Sequence, residues 1–168
     1  MTTDALTAEY WIDRLGLSLH PEGGAYALTH SSPLLFSRDQ LPPLFQGPRP
    51  AATSIYFLLQ AGAYSALHRI ASDEIWYYHY GDALLIHEIT SGGNYTEHFL
   101  GPGEGQQLQC VIQAGSWFGA RVLAGGRYTL AGCMVAPGFD FAEFELAESI
   151  TLQHLFPQYH ALIASLTP

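Results

Sequence analysis

Positive charge is scarce in this chain. Of 168 residues only 6 are Lys or Arg, against 15 Asp or Glu; the formal net charge is −9, and no basic run occurs anywhere. Phosphate backbones are gripped by basic patches, so nucleic acid is not expected as a partner, and the acidic balance reads as solubility. Cysteine is equally sparse. Cys110 and Cys133 are too few and too far apart for a disulfide framework or a zinc site. In apolar surroundings they read as two reduced, buried thiols, which suits a cytoplasmic protein. No stretch approaches the roughly 18 consecutive apolar residues of a membrane span. The first residues, MTTDALTAEYWIDRLGL, lack the basic start and apolar run of a secretory signal. Neither a membrane partner nor a leader is expected. Internal repeats and low-complexity segments are also missing.

The chain has instead 17 Gly, 10 Pro, 10 Tyr and 9 Phe, a composition suited to short strands and tight turns. Its length fits one domain over residues 1–168 with a real core. Thr3 or Thr7 can cap a short helix reaching about Leu15, with Gly16 placed to end it. His20 to Gly24 form a turn, and Ala25–Ser31 enter the first strand. Residues 33–50 carry five prolines and read as an irregular surface connection, either an ordinary loop or a lid. From Ala51 the chain is a succession of strand candidates: 53–59, 64–70, 74–80, 84–90, 95–100, 107–113, 116–122 and 128–135. A last alternating run covers 139–146. No helical period interrupts residues 51–146, which predicts an all-β, antiparallel sandwich or barrel. The C-terminus switches period, and Leu152, Leu155, Phe156, Tyr159, Leu162, Ile163 and Leu166 predict one amphipathic helix with Pro157 near its start.

Within this β region the stretch GAYSALHRIASDEIWYYHYG, residues 62–81, carries the chemistry. Alternation places Glu74, Trp76, Tyr78 and Tyr80 on one strand face, and His68 with Ala66 and Ile70 on a face of the preceding strand. If the two strands pair, His68 and Glu74 share an interior, either as a working acid–base pair or as a structural one. The segment resembles the first motif of the cupin superfamily, Gly-x5-His-x-His-x3-4-Glu-x6-Gly, except that Ile70 stands at the second His. The second cupin motif resembles residues 113–118, where Gln113 replaces its Pro and Phe118 its His. Two of the four ligands of a cupin metal are thus replaced. His68 and Glu74 alone could hold a divalent ion only weakly, so no cofactor is expected.

A closer resemblance spans nearly the whole chain. HPEGGAY at 20–26, TSIYFLL at 53–59, SALHRIASDEIW at 65–76, QAGSWFGA at 113–120 and GCMVAPGFDFAEFEL at 132–146 resemble the cupin-5 family, formerly domain of unknown function 985. The resemblance implies an antiparallel cupin β-barrel, a jelly roll of the rhamnose-epimerase type, with short helices at both ends and assembly as a homodimer. It implies no settled reaction. It points to a pocket with His68 and Glu74 as catalytic candidates and His20, Glu22, Tyr26, Trp76 and Tyr78 as ligand contacts. Trp117 and Phe118 would close one wall, and Phe139 and Asp140 would stand near the rim.

Three functions fit these residues. The first is a cupin that binds a small molecule, sugar-like or nucleotide-sugar-like, in its lumen. The second is a metal-independent isomerase or epimerase in which His68 takes a proton next to a carbonyl, Glu74 orients it and a pocket tyrosine is the acid. Against the second, Gly23 or Gly24 stands where the resembling epimerases carry an Arg, and no basic cluster grips a diphosphate. The third, a metal-dependent oxygenase, is disfavoured by Ile70 and Phe118. A purely structural or interaction role would instead predict a lumen plugged by side chains.

Overall fold

The computed structural model describes residues 6–168. Helix α1 (Ala8–Leu15) starts where the Thr7 side chain accepts the Tyr10 N–H and ends at Gly16 in the left-handed conformation. Thr3, the alternative cap, lies outside the described residues. After it come β1 (Ser18–Leu19), β2 (Ala25–Ser31), β3 (Leu35–Phe36), β4 (Arg49–Pro50), β5 (Thr53–Gln60), β6 (Tyr64–Arg69) and β7 (Asp73–Gly81). The second half of the fold adds β8 (Leu84–Ile89), β9 (Tyr95–Leu100), β10 (Gln109–Ile112), β11 (Trp117–Val122), β12 (Tyr128–Ala136) and β13 (Glu145–Leu146). Helices α2 (Ser149–Leu155) and α3 (His160–Ser165) close the chain.

Two antiparallel sheets face each other. One has the order β1-β2-β5-β12-β7-β10 and the other β13-β6-β11-β8-β9, while β3 and β4 form a separate pair. The crossovers, with β12 seated between β5 and β7, make a jelly roll. Between the sheets Phe57, Leu59, Trp76, Ile86, Leu100 and Phe118 are almost wholly buried, each contributing roughly 1.5–3 kcal/mol. Outside, α1 covers the six-stranded sheet at Leu58 and Leu130, and α2 and α3 cover the other at Leu67, Ile89 and Trp117.

Three expectations need correction. The C-terminal helix is two helices, because a 3-10 turn at Pro157–Tyr159 separates α2 from α3; the proline lacks the N–H that would continue α2. Residues 139–146 are not a strand throughout. The Asp140 carboxylate accepts the Ala142 N–H and caps a 3-10 turn over Phe141–Glu143, leaving only Glu145–Leu146 to pair with β6. The face of β7 also breaks at His79, where the register against β12 slips by one residue between Tyr78 and Tyr80. This bulge leaves Tyr78 packed against the inter-sheet core and turns Tyr80 outward onto Trp11 and Tyr128. The His79 ring lies where a Cβ on Gly132 would be.

The proline-rich segment is tethered rather than loose. Arg49 is only 3% exposed; its Nε donates to Glu143 Oε2 at 3.1 Å and its Nη1 to the Pro48 carbonyl at 2.7 Å. A second nitrogen, Nη2, also reaches Glu143. Leu41 and Phe45, within the same segment, are buried.

Candidate functional site

The site begins with a turn. His20 N–H donates to the Gly24 carbonyl and Gly23 N–H to the His20 carbonyl. Gly23 sits at φ +108°, and a Cβ there would strike the Tyr64 backbone carbonyl. Only glycine therefore lets the turn lie this close to β6. The contact is sealed by Ala66 N–H donating to the Glu22 carbonyl at 2.7 Å. Glu22 is carried by this docking into the space between the sheets, where it is 7% exposed.

Glu22 then becomes the hub of a buried cluster. Its Oε1 accepts the Ser65 hydroxyl at 2.8 Å, its Oε2 lies 3.0 Å from His68 Nε2, and His20 Nδ1 is 3.5 Å from the same oxygen. The other His68 nitrogen, Nδ1, is 2.7 Å from the Ala66 carbonyl. A carbonyl only accepts, so Nδ1 carries a hydrogen and the neutral ring presents Nε2 as an acceptor. The Glu22 backbone N–H donates to His20 Nδ1 at 3.3 Å, which leaves the His20 proton on Nε2.

The carboxylate–imidazole contacts have salt-bridge distances, yet burial decides against charge separation. Desolvation raises Glu22 to about 8, opposed by the Ser65 hydroxyl, and lowers His68 to about 4. With the usual order of proton affinities inverted, the shared proton resides on Glu22, which donates it to His68 Nε2. His20 is likewise lowered to about 4 by burial and by His68. On β7 Glu74 is raised to about 8 by burial and then by the Glu22 charge, with the Cys133 thiol opposing as a donor. Burial and the two carboxyls raise the Cys133 thiol well above its ordinary value, so it is no nucleophile.

These groups line a cavity of about 480 Å³ whose walls include Ile55, Phe57, Ile70, Trp76 and Val135. Leu28 and Phe141, 63% and 53% exposed, stand where it meets solvent, together with Ser31, Pro50 and Asp140. Of the residues singled out from sequence, His20, Glu22, Tyr26, His68, Glu74, Trp76, Phe139 and Asp140 all line this one space. Three others do not. Tyr78 donates its hydroxyl to the Gly81 carbonyl at 2.6 Å. Trp117 packs under the C-terminal helices with the Arg69 guanidinium 4.5 Å over its ring. Phe118 is a core residue whose ring centre is 4.1 Å from that of His68.

The partner of His68 is Glu22, where sequence alternation pointed to Glu74. Ser65 and Cys133 went unnoticed in the sequence for a related reason. The register of β6 against β11 slips between Ser65 and His68. This bulge turns Ser65 to the face of His68, although simple alternation puts the two on opposite faces. Cys133 and Cys110 both sit opposite Trp76, on the strands either side of β7. That separation of two strand spacings, roughly 10 Å, is beyond disulfide reach.

The cluster does not suit the metal of the cupin motifs. Ile70 and Phe118 supply no donor atom, and both nitrogens of His68 are engaged. Among the described residues no group of three or more His, Cys, Asp or Glu is arranged to hold an ion.

Comparison with known proteins gives a consistent result. The profile described as Cupin_5, cupin superfamily (DUF985), matches residues 9–147. A hypothetical protein from Leishmania major is 36% identical, with a TM-score of 0.88 over 96% of this chain and 98% of its own. A protein of solved structure from Shewanella oneidensis is 35% identical, with a TM-score of 0.86 over the same shares. A cupin 2 domain-containing protein from Halorhodospira halophila, 15% identical, matches 90% of this chain and 87% of its own with a TM-score of 0.55; it shares the fold alone. No curated protein matches the chain. On the extent of the profile match and the two end-to-end relatives, the chain belongs to the Cupin_5 (DUF985) family of the cupin superfamily.

Proposed function

We propose that this cupin binds a small, sugar-sized molecule in the lumen between its sheets, without a metal. The observation that carries the reading is the cavity itself: about 480 Å³, walled by aliphatic and aromatic side chains, with Glu22, His68 and Glu74 converging in it. Ligand sites are typically concave, mostly apolar spaces with a few placed polar groups. A nucleotide-sugar is the poorer fit, since among the described residues no Lys or Arg lines the cavity to hold a diphosphate. The test is a fragment screen by ligand-observed NMR on wild type and on Ile70→Trp, which fills the lumen. Hits that bind wild type, survive chelator and vanish in Ile70→Trp support the reading; hits indifferent to Ile70→Trp overturn it.

A second reading, a metal-independent isomerase or epimerase, is favoured by the Glu22–His68 couple. An acid and an imidazole sharing one proton beside a cavity can act as a single base, with Tyr26 on the same cavity as a candidate acid. Solvent deuterium appearing at the carbon next to a bound ligand's carbonyl would select this reading. We also place the protein in the cytoplasm, where its two buried free thiols stay reduced. Assembly as a homodimer would cover the exposed edge near Leu108 and Val111. Light scattering at micromolar concentration should then give twice the 18.4 kDa of one chain.

A further inference from the structure

The lumen-binding reading leaves the chemistry of the ligand open, and the hydrogen-bond pattern narrows it. Glu22 has to bring a proton to His68, because the Ala66 carbonyl fixes the ring hydrogen on Nδ1 and leaves Nε2 bare. The Glu22–His68 couple therefore carries no net charge. Glu74 sits near this couple with the Cys133 thiol as its donor neighbour. Glu74 is 7% exposed and lines the cavity, and among the described residues no ion pair holds it; a buried carboxyl without a countercharge keeps its proton.

No countercharge is at hand for an anion. Besides Glu22 and Glu74, the titratable groups lining the space are His20 and His68, both lowered by burial, Tyr26, the Cys133 thiol and Asp140 at the mouth. Cys110, opposite Trp76 on β10, feels Glu74 and is itself pushed up to about 12 by burial. The basic residues of the chain are all arginine, and Arg49, the one nearest the mouth, is held by Glu143 and lies 3.9 Å from the mouth residue Asp140, so its charge is already met by two carboxylates.

We infer that the cavity is an uncharged donor site for a neutral carbonyl compound, with the Glu74 carboxylic acid O–H as its donor, and that it turns away carboxylates and phosphates. A carboxylate entering this space would lose its hydration with no cation to meet it and a second carboxyl beside it. A ketone, lactone or amide oxygen accepts from Glu74 without that penalty.

The inference rests on the lumen-binding reading and is tested by matched ligands of equal shape: benzamide against benzoate, and nicotinamide against nicotinate. At pH 6.5 the neutral member of at least one pair should bind wild type about tenfold or more tightly than its anion. Raising the pH through 8 should weaken the neutral ligand, and most of that loss should be absent in Glu74→Gln, whose amide keeps a donor in place. Infrared spectra at pH 7 should show a protonated carboxyl band that decreases in Glu74→Gln. Anions binding as well as their neutral partners, or no protonated carboxyl band in wild type, would overturn this inference. So would failure of both neutral ligands to bind. If the fragment hits still vanish in Ile70→Trp in that case, the lumen reading stands and only the ligand chemistry falls; if no hit occupies the lumen, the lumen reading falls as well.

Discussion

Replacing Glu22 by glutamine distinguishes a neutral cluster from an ion pair. In the neutral arrangement the protonated Glu22 donates to His68 Nε2 and accepts from Ser65. A glutamine reproduces both bonds, its NH2 donating and its carbonyl accepting, so at pH 6.5 the substitution should change stability by less than about 1 kcal/mol. If the pair were ionised, the same substitution would strand a buried imidazolium and cost about 3–5 kcal/mol. The pH profile separates the cases further. Unfolded, Glu22 ionises near 4.5, and in the fold near 8. Between those values the unfolded chain binds fewer protons, so stability falls as pH rises and levels off above 8. From pH 6.5 to 8, at about 1.4 kcal/mol per unit, one such carboxyl removes up to about 2 kcal/mol. Glu74 has a shift of the same direction and size. Below 6.5 the lowered His20 and His68 work the other way, losing stability as pH falls towards 4. Glu22→Gln should therefore flatten the alkaline limb by half or slightly more, since part of the Glu74 shift comes from Glu22. Urea denaturation followed by tryptophan fluorescence across pH 6–9 reads all of this. A loss above about 3 kcal/mol at pH 6.5 with the wild-type alkaline slope intact would refute the neutral cluster.

Two further outcomes follow from the same geometry. Arg49→Ala leaves the nearly buried Glu143 without its partner and should destabilise by about 3–5 kcal/mol in denaturant titrations, with a smaller loss for Arg49→Met combined with Glu143→Leu. Gly23→Ala forces a strained φ and a clash with the Tyr64 carbonyl. It should cost roughly 1–3 kcal/mol by denaturation and, by displacing Glu22, weaken any lumen ligand seen by NMR.

Most of the strand positions could be read from the sequence, because period-2 alternation and turn residues are local signals. Ala25–Ser31 and Tyr95–Leu100 have the predicted bounds, and the other strands from β5 to β12 shift at their ends by three residues at most. The failures are where another signal competes with the period. Phe139–Leu146 alternates convincingly, yet a cap at Asp140 and the pull of Arg49 on Glu143 favour a 3-10 turn. The C-terminal periodicity continues through Pro157 while the backbone hydrogen bonds do not. Composition contains neither signal.

For the site the limit is register. Eight of the eleven residues singled out from sequence reach one cavity, because motif spacing fixes which strands carry them. Their pairing was not legible, since it depends on two bulges and one turn. The bulge in β6 puts Ser65 beside His68, the bulge in β7 ends the shared face after Tyr78, and Gly23 lets Glu22 enter between the sheets. A one-residue slip moves every later side chain to the opposite face, so a period count carries the identity of a pocket residue but not its partner. The cupin motif departures take their meaning from this arrangement. Ile70 adds an apolar wall beside His68, and Phe118 packs on its ring. Where the cupin motifs have donors for a cation, this chain has apolar surface that raises the proton affinity of Glu22 and Glu74 and lowers that of His68. The two replacements that argue against a metal in the sequence help keep the cluster neutral in the fold.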